Sequence, residues 1–210
     1  MAQGPITECI RALQSDRLIT LNISDAETSF SVQVQQKVLE AASPWFQKAL
    51  RDDRFVEGQN GAITFADDDI DAWKIALYWL LHREIPEPGE LRGKEEEDFF
   101  VRLARCWVLG DKYNLTRLQN DIMFRLLKFA DQLNFALKPA QYKDLLKIVP
   151  AGSQLMQLLA EEVAAKCYFE GAEIALLDGS TGFWPVFVTA DRVLKDSDDQ
   201  AKYDYRLEGI

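Results

Sequence analysis

The sequence predicts an α+β protein in which a small three-stranded sheet is flanked by helices and followed by a C-terminal helical extension. Three observations carry this. Two early stretches alternate apolar and polar residues with period two, and a third short one follows at Ile63 and Phe65. Apolar residues recur at three- and four-residue spacing from Val38 to Leu50. From Ile70 onward the same helical spacing governs almost the whole chain.

Pro5 suits a first helical position, and Ile6, Cys9, Ile10 and Leu13 then fall on one helical face. A helix this short is unstable alone and must dock on its own core or on a second chain. Ile19, Leu21 and Ile23, then Phe30, Val32 and Val34, mark two strands of a hairpin turning at Ser24 to Glu27. Val38, Leu39, Ala42, Trp45, Phe46, Ala49 and Leu50 form the stripe of the next helix. Ser43-Pro44 breaks it in two, because proline lacks the amide donor and clashes with the preceding turn. Arg51 to Asn60 reads as a polar loop before the third strand.

The run Asp67-Asp68-Asp69 predicts the capped start of a helix whose stripe is Ile70, Trp73, Leu77, Leu80 and Leu81. Pro86, Pro88 and Gly89 end it, and Glu84 to Asp98 reads as a charged surface loop. Phe99, Leu103, Cys106 and Trp107 line one further helix, and Leu115, Leu118, Ile122, Leu126 and Phe129 the next, with Gly110 to Tyr113 as the turn. Pro139 opens a short helix carrying Tyr142, Leu145 and Leu146. Ser153 caps another with Leu155, Leu159, Val163 and Cys167, and Phe183, Phe187, Ala190 and Leu194 mark the last. The tail from Lys195 is polar.

Composition narrows the function classes. The chain has 210 residues, 48% hydrophobic and 28% charged, which fits a globular protein and excludes a disordered one. Its net charge of −10 disfavours direct nucleic-acid or anionic-membrane binding. Cys9, Cys106 and Cys167 stand far apart, without the spacing of a metal or redox site, and fit a reducing compartment. No apolar run is long enough to span a bilayer, and the start lacks the pattern of a secretory signal. These features predict a cytosolic or nuclear protein.

Catalytic chemistry finds little support. The single histidine, His82, ends an apolar helix, and no P-loop, G-x-S-x-G or G-x-G-x-x-G motif occurs. Asp67, Asp68, Asp69 and Asp71 lack the spacing and closing Glu of a calcium loop, and helix capping accounts for them more simply. Glu95, Glu96, Glu97 and Asp98 read as an acidic first turn. Trp73, Trp79, Trp107 and Phe46 read as core. The expectation is no catalytic residue, no cofactor and no metal.

The segment FSVQVQQKVLEAASPWFQKAL, from Phe30 to Leu50, resembles the signature of the BTB/POZ domain, with Val38, Leu39, Ser43, Pro44, Trp45 and Phe46 at the matching places. RFVEG, AITFADDDIDAWKIALYWLLHREIP and WVLGDKYNLTRLQNDIMFRLL resemble later blocks of that family in the same order. The resemblance spans Asp16 to Leu127 and is strongest to BTB proteins of filamentous fungi. It departs at Gln35 and Gln36, where the family has His and a basic residue, and at His82-Arg83, which replaces Thr-Gly. A corepressor pocket would need Asp16 and a base that only Lys37 is placed to supply.

The resemblance implies a BTB/POZ fold over residues 16–130, with 1–15 as an N-terminal helix, 131–194 as a helical extension and 195–210 as a tail. It implies a non-enzymatic protein–protein interaction module. Ile6, Cys9, Ile10 and Leu13 would form a homodimer interface, or else close the chain's own core. Phe55, Val56 and Glu57 resemble the motif by which BTB adaptors engage a cullin-type ligase scaffold; the alternative is that Phe55 plugs the helix-pair end and Glu57 is solvated. The chain shows no MATH, Kelch or zinc-finger pattern, so a ligase substrate would bind the extension from Lys138 onward. The implied functions are a self-associating ubiquitin-ligase adaptor, or a scaffold or transcription-related regulator without ligase role; the alternative from another class is an enzyme with an unrecognised site.

Overall fold

Alternation in the first strand becomes burial. In the computed structural model, which describes residues 16–51, 55–87, 96–131, 137–166, 177 and 180–196, β1 (Leu18–Ser24) hides Ile19, Leu21 and Ile23 almost completely while the residues between them face outward. β2 (Ser29–Gln35) runs antiparallel to it, pairing Leu21 with Val32. β3 (Ala62–Ala66) lies parallel on the other side, pairing Leu21 with Ile63, so the sheet is mixed with order β2-β1-β3. The hairpin turns at Asp25, whose carboxylate accepts from the amides of Glu27 and Thr28 at 2.9 and 2.7 Å. Those amide bonds hold its carboxyl below the usual range.

The class is therefore α+β, with a three-stranded mixed sheet and a majority of helix among the described residues. Two compact units divide the chain: Met1–Glu84 with Leu109–Leu118, and Ile85–Val108 with Gln119–Ile210.

In the first unit the predicted break falls at Ser43. α1 (Gln36–Ala42) ends there and α2 (Pro44–Ala49) begins, with Pro44 in its first turn and the Ser43 hydroxyl accepting from the Trp45 amide at 2.9 Å. The same hydroxyl donates to the Tyr113 carbonyl, tying the break to a residue 70 positions away. One expectation needs correction. Arg51 to Asn60 is not loop throughout, because Val56–Asn60 forms a one-turn helix, α3. Five residues are too few to display a 3.6-residue period, so local patterning could not reveal it. α4 (Ile70–His82) buries Trp73, Ile75, Ala76, Trp79 and Leu80 and packs on β1 and α1.

The described residues beyond α4 are mostly helical. α5 (Glu96–Lys112) starts inside the stretch read as a surface loop, and it runs through Gly110, where a turn is predicted. The turn comes at Asn114, at φ 52, before α6 (Thr116–Ala130). Asparagine tolerates the left-handed region, so it ends the helix that glycine does not. Phe99 of α5 and Phe129 of α6 meet edge to face, with ring centres 5.7 Å apart. α7 (Pro139–Ile148) buries Tyr142, Leu145 and Leu146. α8 (Gln154–Lys166) opens with the Ser153 hydroxyl accepting from the Met156 amide at 3.1 Å, and α9 (Phe183–Asp196) packs against it. The expected members Cys9 and Cys167, and the tail beyond Asp196, lie outside the described residues.

Candidate protein-docking site

Phe55, Val56 and Glu57 stand at the start of α3, and the structure explains how so short a helix is held. Phe55 is its extended N-cap residue, and Gly61 closes the other end at φ 66. A side chain at that φ is strained, and a Cβ there would meet the Arg17 guanidinium at 2.8 Å. Arg17, just before β1, reaches the last turn and donates to the carbonyls of Gly58 and Gln59 at 2.6 and 3.0 Å. The Gly61 carbonyl in turn accepts from the Thr20 amide at 2.9 Å. The Gly58 and Gln59 carbonyls at the helix end thus have a charged donor, and the turn is fastened to the sheet.

On this fastened turn Phe55 is 47% and Val56 64% exposed, although both are large apolar side chains. Glu57 is half-buried beside them. An apolar pair on a rigid turn with an adjoining carboxylate can seat in a hydrophobic cleft at low entropic cost, and the charge can fix orientation. Arg17 did not stand out in the sequence, because its partners lie 41 and 42 residues away. Gly61→Ala is expected to destabilise the protein by about 1–2 kcal/mol, read by urea denaturation, and to loosen α3.

The three aspartates before α4 take three different positions. Asp69 alone caps the helix, accepting from the Ala72 amide at 2.8 Å. Asp67 adopts φ 61. Asp68 is turned inward, 5% exposed. Its carboxylate accepts from the Trp73 indole at 3.0 Å, the Tyr113 hydroxyl at 2.6 Å and the Lys112 ammonium at 2.7 Å. Reading the whole run as a cap is therefore corrected: one member caps and one anchors a buried network. Burial, then the Asp68 hydrogen bond and charge, push the Tyr113 phenol far above its ordinary value. The folded state thus retains a proton that the unfolded chain loses near pH 10. This contribution is intact below about pH 10 and fades as pH rises further. Unfolding midpoints measured from pH 9 upward are expected to fall more steeply for the native protein than for Tyr113→Phe.

The remaining sequence candidates are scattered. His82 is exposed at the end of α4, its ring 4.4 Å from that of Tyr78. Asp16 accepts from the Lys37 backbone amide at 3.0 Å, so it serves the start of α1. Trp73, Trp79, Trp107 and Phe46 are buried, as their spacing predicts. Ile6, Cys9, Ile10 and Leu13 lie outside the described residues. Among the described residues no group of three or more His, Cys, Asp or Glu could hold a metal ion, and no helix is long and apolar enough to cross a membrane. Compared with known proteins, the chain matches no family model and no curated protein.

Proposed function

We propose that this chain is a non-enzymatic protein–protein interaction module of the BTB/POZ type, acting as a self-associating adaptor for a cullin-type ubiquitin-ligase scaffold. The observation that carries the reading is the exposed Phe55–Val56 pair on a turn fastened by Arg17 and Gly61, with Glu57 beside it. Two features lend further support. Apart from the added one-turn helix α3, the first unit has the order of elements that the resemblance implies: hairpin, helix pair broken at Ser43-Pro44, strand, helix. The buried Asp68–Tyr113 contact ties that helix to the Asp-Lys-Tyr block.

A partner would bury the two apolar side chains and meet Glu57 with a cation or hydrogen-bond donor. Truncating a central anchor of this kind costs binding about 2 kcal/mol. Copurification with a cullin is expected for the native chain and lost in Phe55→Ala and Glu57→Ala. Both side chains are at least partly solvent-accessible, so thermal unfolding should change little. Undiminished copurification in both variants would remove this motif from the reading.

A further inference from the structure

β2 stands at the rim of the sheet, with β1 on one side only. The register settles which of its backbone groups face outward. The Gln36 amide donates to the Arg17 carbonyl at 2.8 Å and the Asp25 amide to the Thr28 carbonyl at 3.0 Å, so the pairs at both ends of the hairpin are of the hydrogen-bonded kind. Antiparallel pairs alternate between bonded and non-bonded, so Phe30, Val32 and Val34 bond to β1. Ser29, Ser31 and Gln33 then turn their N–H and C=O groups away from it. Among the described residues, none pairs with those groups.

Edge strands of native proteins are usually blunted by charge, proline or a bulge. β2 has none of these: Ser-Phe-Ser-Val-Gln-Val-Gln runs in unbroken register. Its apolar side is open as well. Phe30 and Val32 lie opposite Ile23 and Leu21 and share their side of the sheet. Ile23 and Leu21 are fully buried, yet Phe30 and Val32 are only half-buried. At the other rim, Ile63 and Phe65 of β3 are buried. Apolar surface is thus covered at the β3 rim and left partly uncovered at the β2 rim.

We propose that the β2 edge accepts an extended segment of another protein as a fourth strand, antiparallel to β2. The open ladder specifies the occupant's shape, because an extended backbone is what meets the outward groups of Ser29, Ser31 and Gln33 in succession. Phe30 and Val32 specify its inner side, with apolar residues at every second position set beside them. Charge specifies one end. The turn before Ser29 carries Asp25 and Glu27, both exposed, and the nearby cation Lys74 is paired with Asp71. In antiparallel order the C-terminal end of the segment passes this turn, and there it carries lysine or arginine. A second copy of the chain is the poorer occupant, since two chains of net charge −10 repel each other. This edge shares no residue with the Phe55–Glu57 turn, and it stands whether or not that turn binds a cullin.

The test is a polarisation titration of the full chain against a fluorescent peptide, acetyl-Thr-Val-Thr-Ile-Thr-Val-Thr-Lys-Lys-amide. In the proposed register its Val, Ile and Val fall opposite Val34, Val32 and Phe30, and its lysines opposite Thr28 and Glu27. The expected result is saturable binding that weakens with salt. N-methylating the threonine amides opposite Ser31 and Gln33 removes donors aimed at β2 and is expected to weaken binding about tenfold or more. N-methylating the isoleucine amide between them, which points to solvent, should change binding far less. Gln33→Pro removes an outward donor while sparing the ladder to β1, and should also weaken binding, with circular dichroism checking the fold. No saturation at millimolar peptide, or equal losses from the two methylation patterns, overturns the proposal. So does a dimer in sedimentation equilibrium that Gln33→Pro dissociates, which assigns the edge to a second copy.

Discussion

Asp68→Ala is expected to cost the protein about 3–4 kcal/mol, because it leaves the buried Trp73 and Tyr113 donors without their acceptor and removes the Lys112 ion pair. The order of effects is as informative as their size. Lys112 is more than half exposed, so its ammonium can return to water when the carboxylate is gone. The indole and phenol cannot, since both donor groups lie in the interior. Lys112→Met should therefore cost less than Asp68→Ala, with Asp68→Asn between them because an amide oxygen still accepts. Urea denaturation of the three variants gives the ranking. A ranking with Lys112→Met worst would show that the ion pair, and not the satisfaction of buried donors, dominates this corner.

Trp73→Ala is expected to cost about 3–5 kcal/mol. The side chain is fully buried, and its ring centre lies 4.3 Å from Phe65 and 5.4 Å from Tyr113. Trp45 extends the cluster, 4.9 Å from Tyr113 and 6.1 Å from Phe65. Four aromatic rings from β3, α2, α4 and the α5–α6 turn thus share one region, and removing Trp73 opens a cavity beside Phe65 and Tyr113. The indole also donates to Asp68. Trp73→Phe, which keeps a ring but loses the donor, should show coupling to Asp68→Asn of about 1 kcal/mol in a double-mutant cycle. Strict additivity would mean that the hydrogen bond contributes little beyond packing.

Much of the fold is legible because it is written in neighbours. The strand pair follows from alternation at Ile19, Leu21 and Ile23; the broken helix follows from Ser43-Pro44; the start of α8 follows from Ser153. Local pattern fails where a distant partner decides. α3 exists because Arg17 and Gly61 satisfy its end, and nothing within Val56–Asn60 announces that. Asp68 and Asp69 are adjacent and chemically identical, yet one is buried by Lys112 and Tyr113, more than forty residues on, while the other caps a helix. Gly110 reads as a helix end, but the turn waits for Asn114. In the candidate docking site, residue types alone mark Phe55, Val56 and Glu57, whereas their rigidity and exposure become visible only once the sheet has formed.

The proposed function makes one central claim: partners are recognised by a preformed apolar turn anchored to the sheet. Amide hydrogen exchange of the full chain, with and without the N-terminal helical region of a cullin, tests it most directly. The reading predicts slowed exchange across Val56 to Gly61 on addition of the cullin region, with Phe55→Ala abolishing the effect. Protection confined to other segments, or none at saturating concentration, would contradict it.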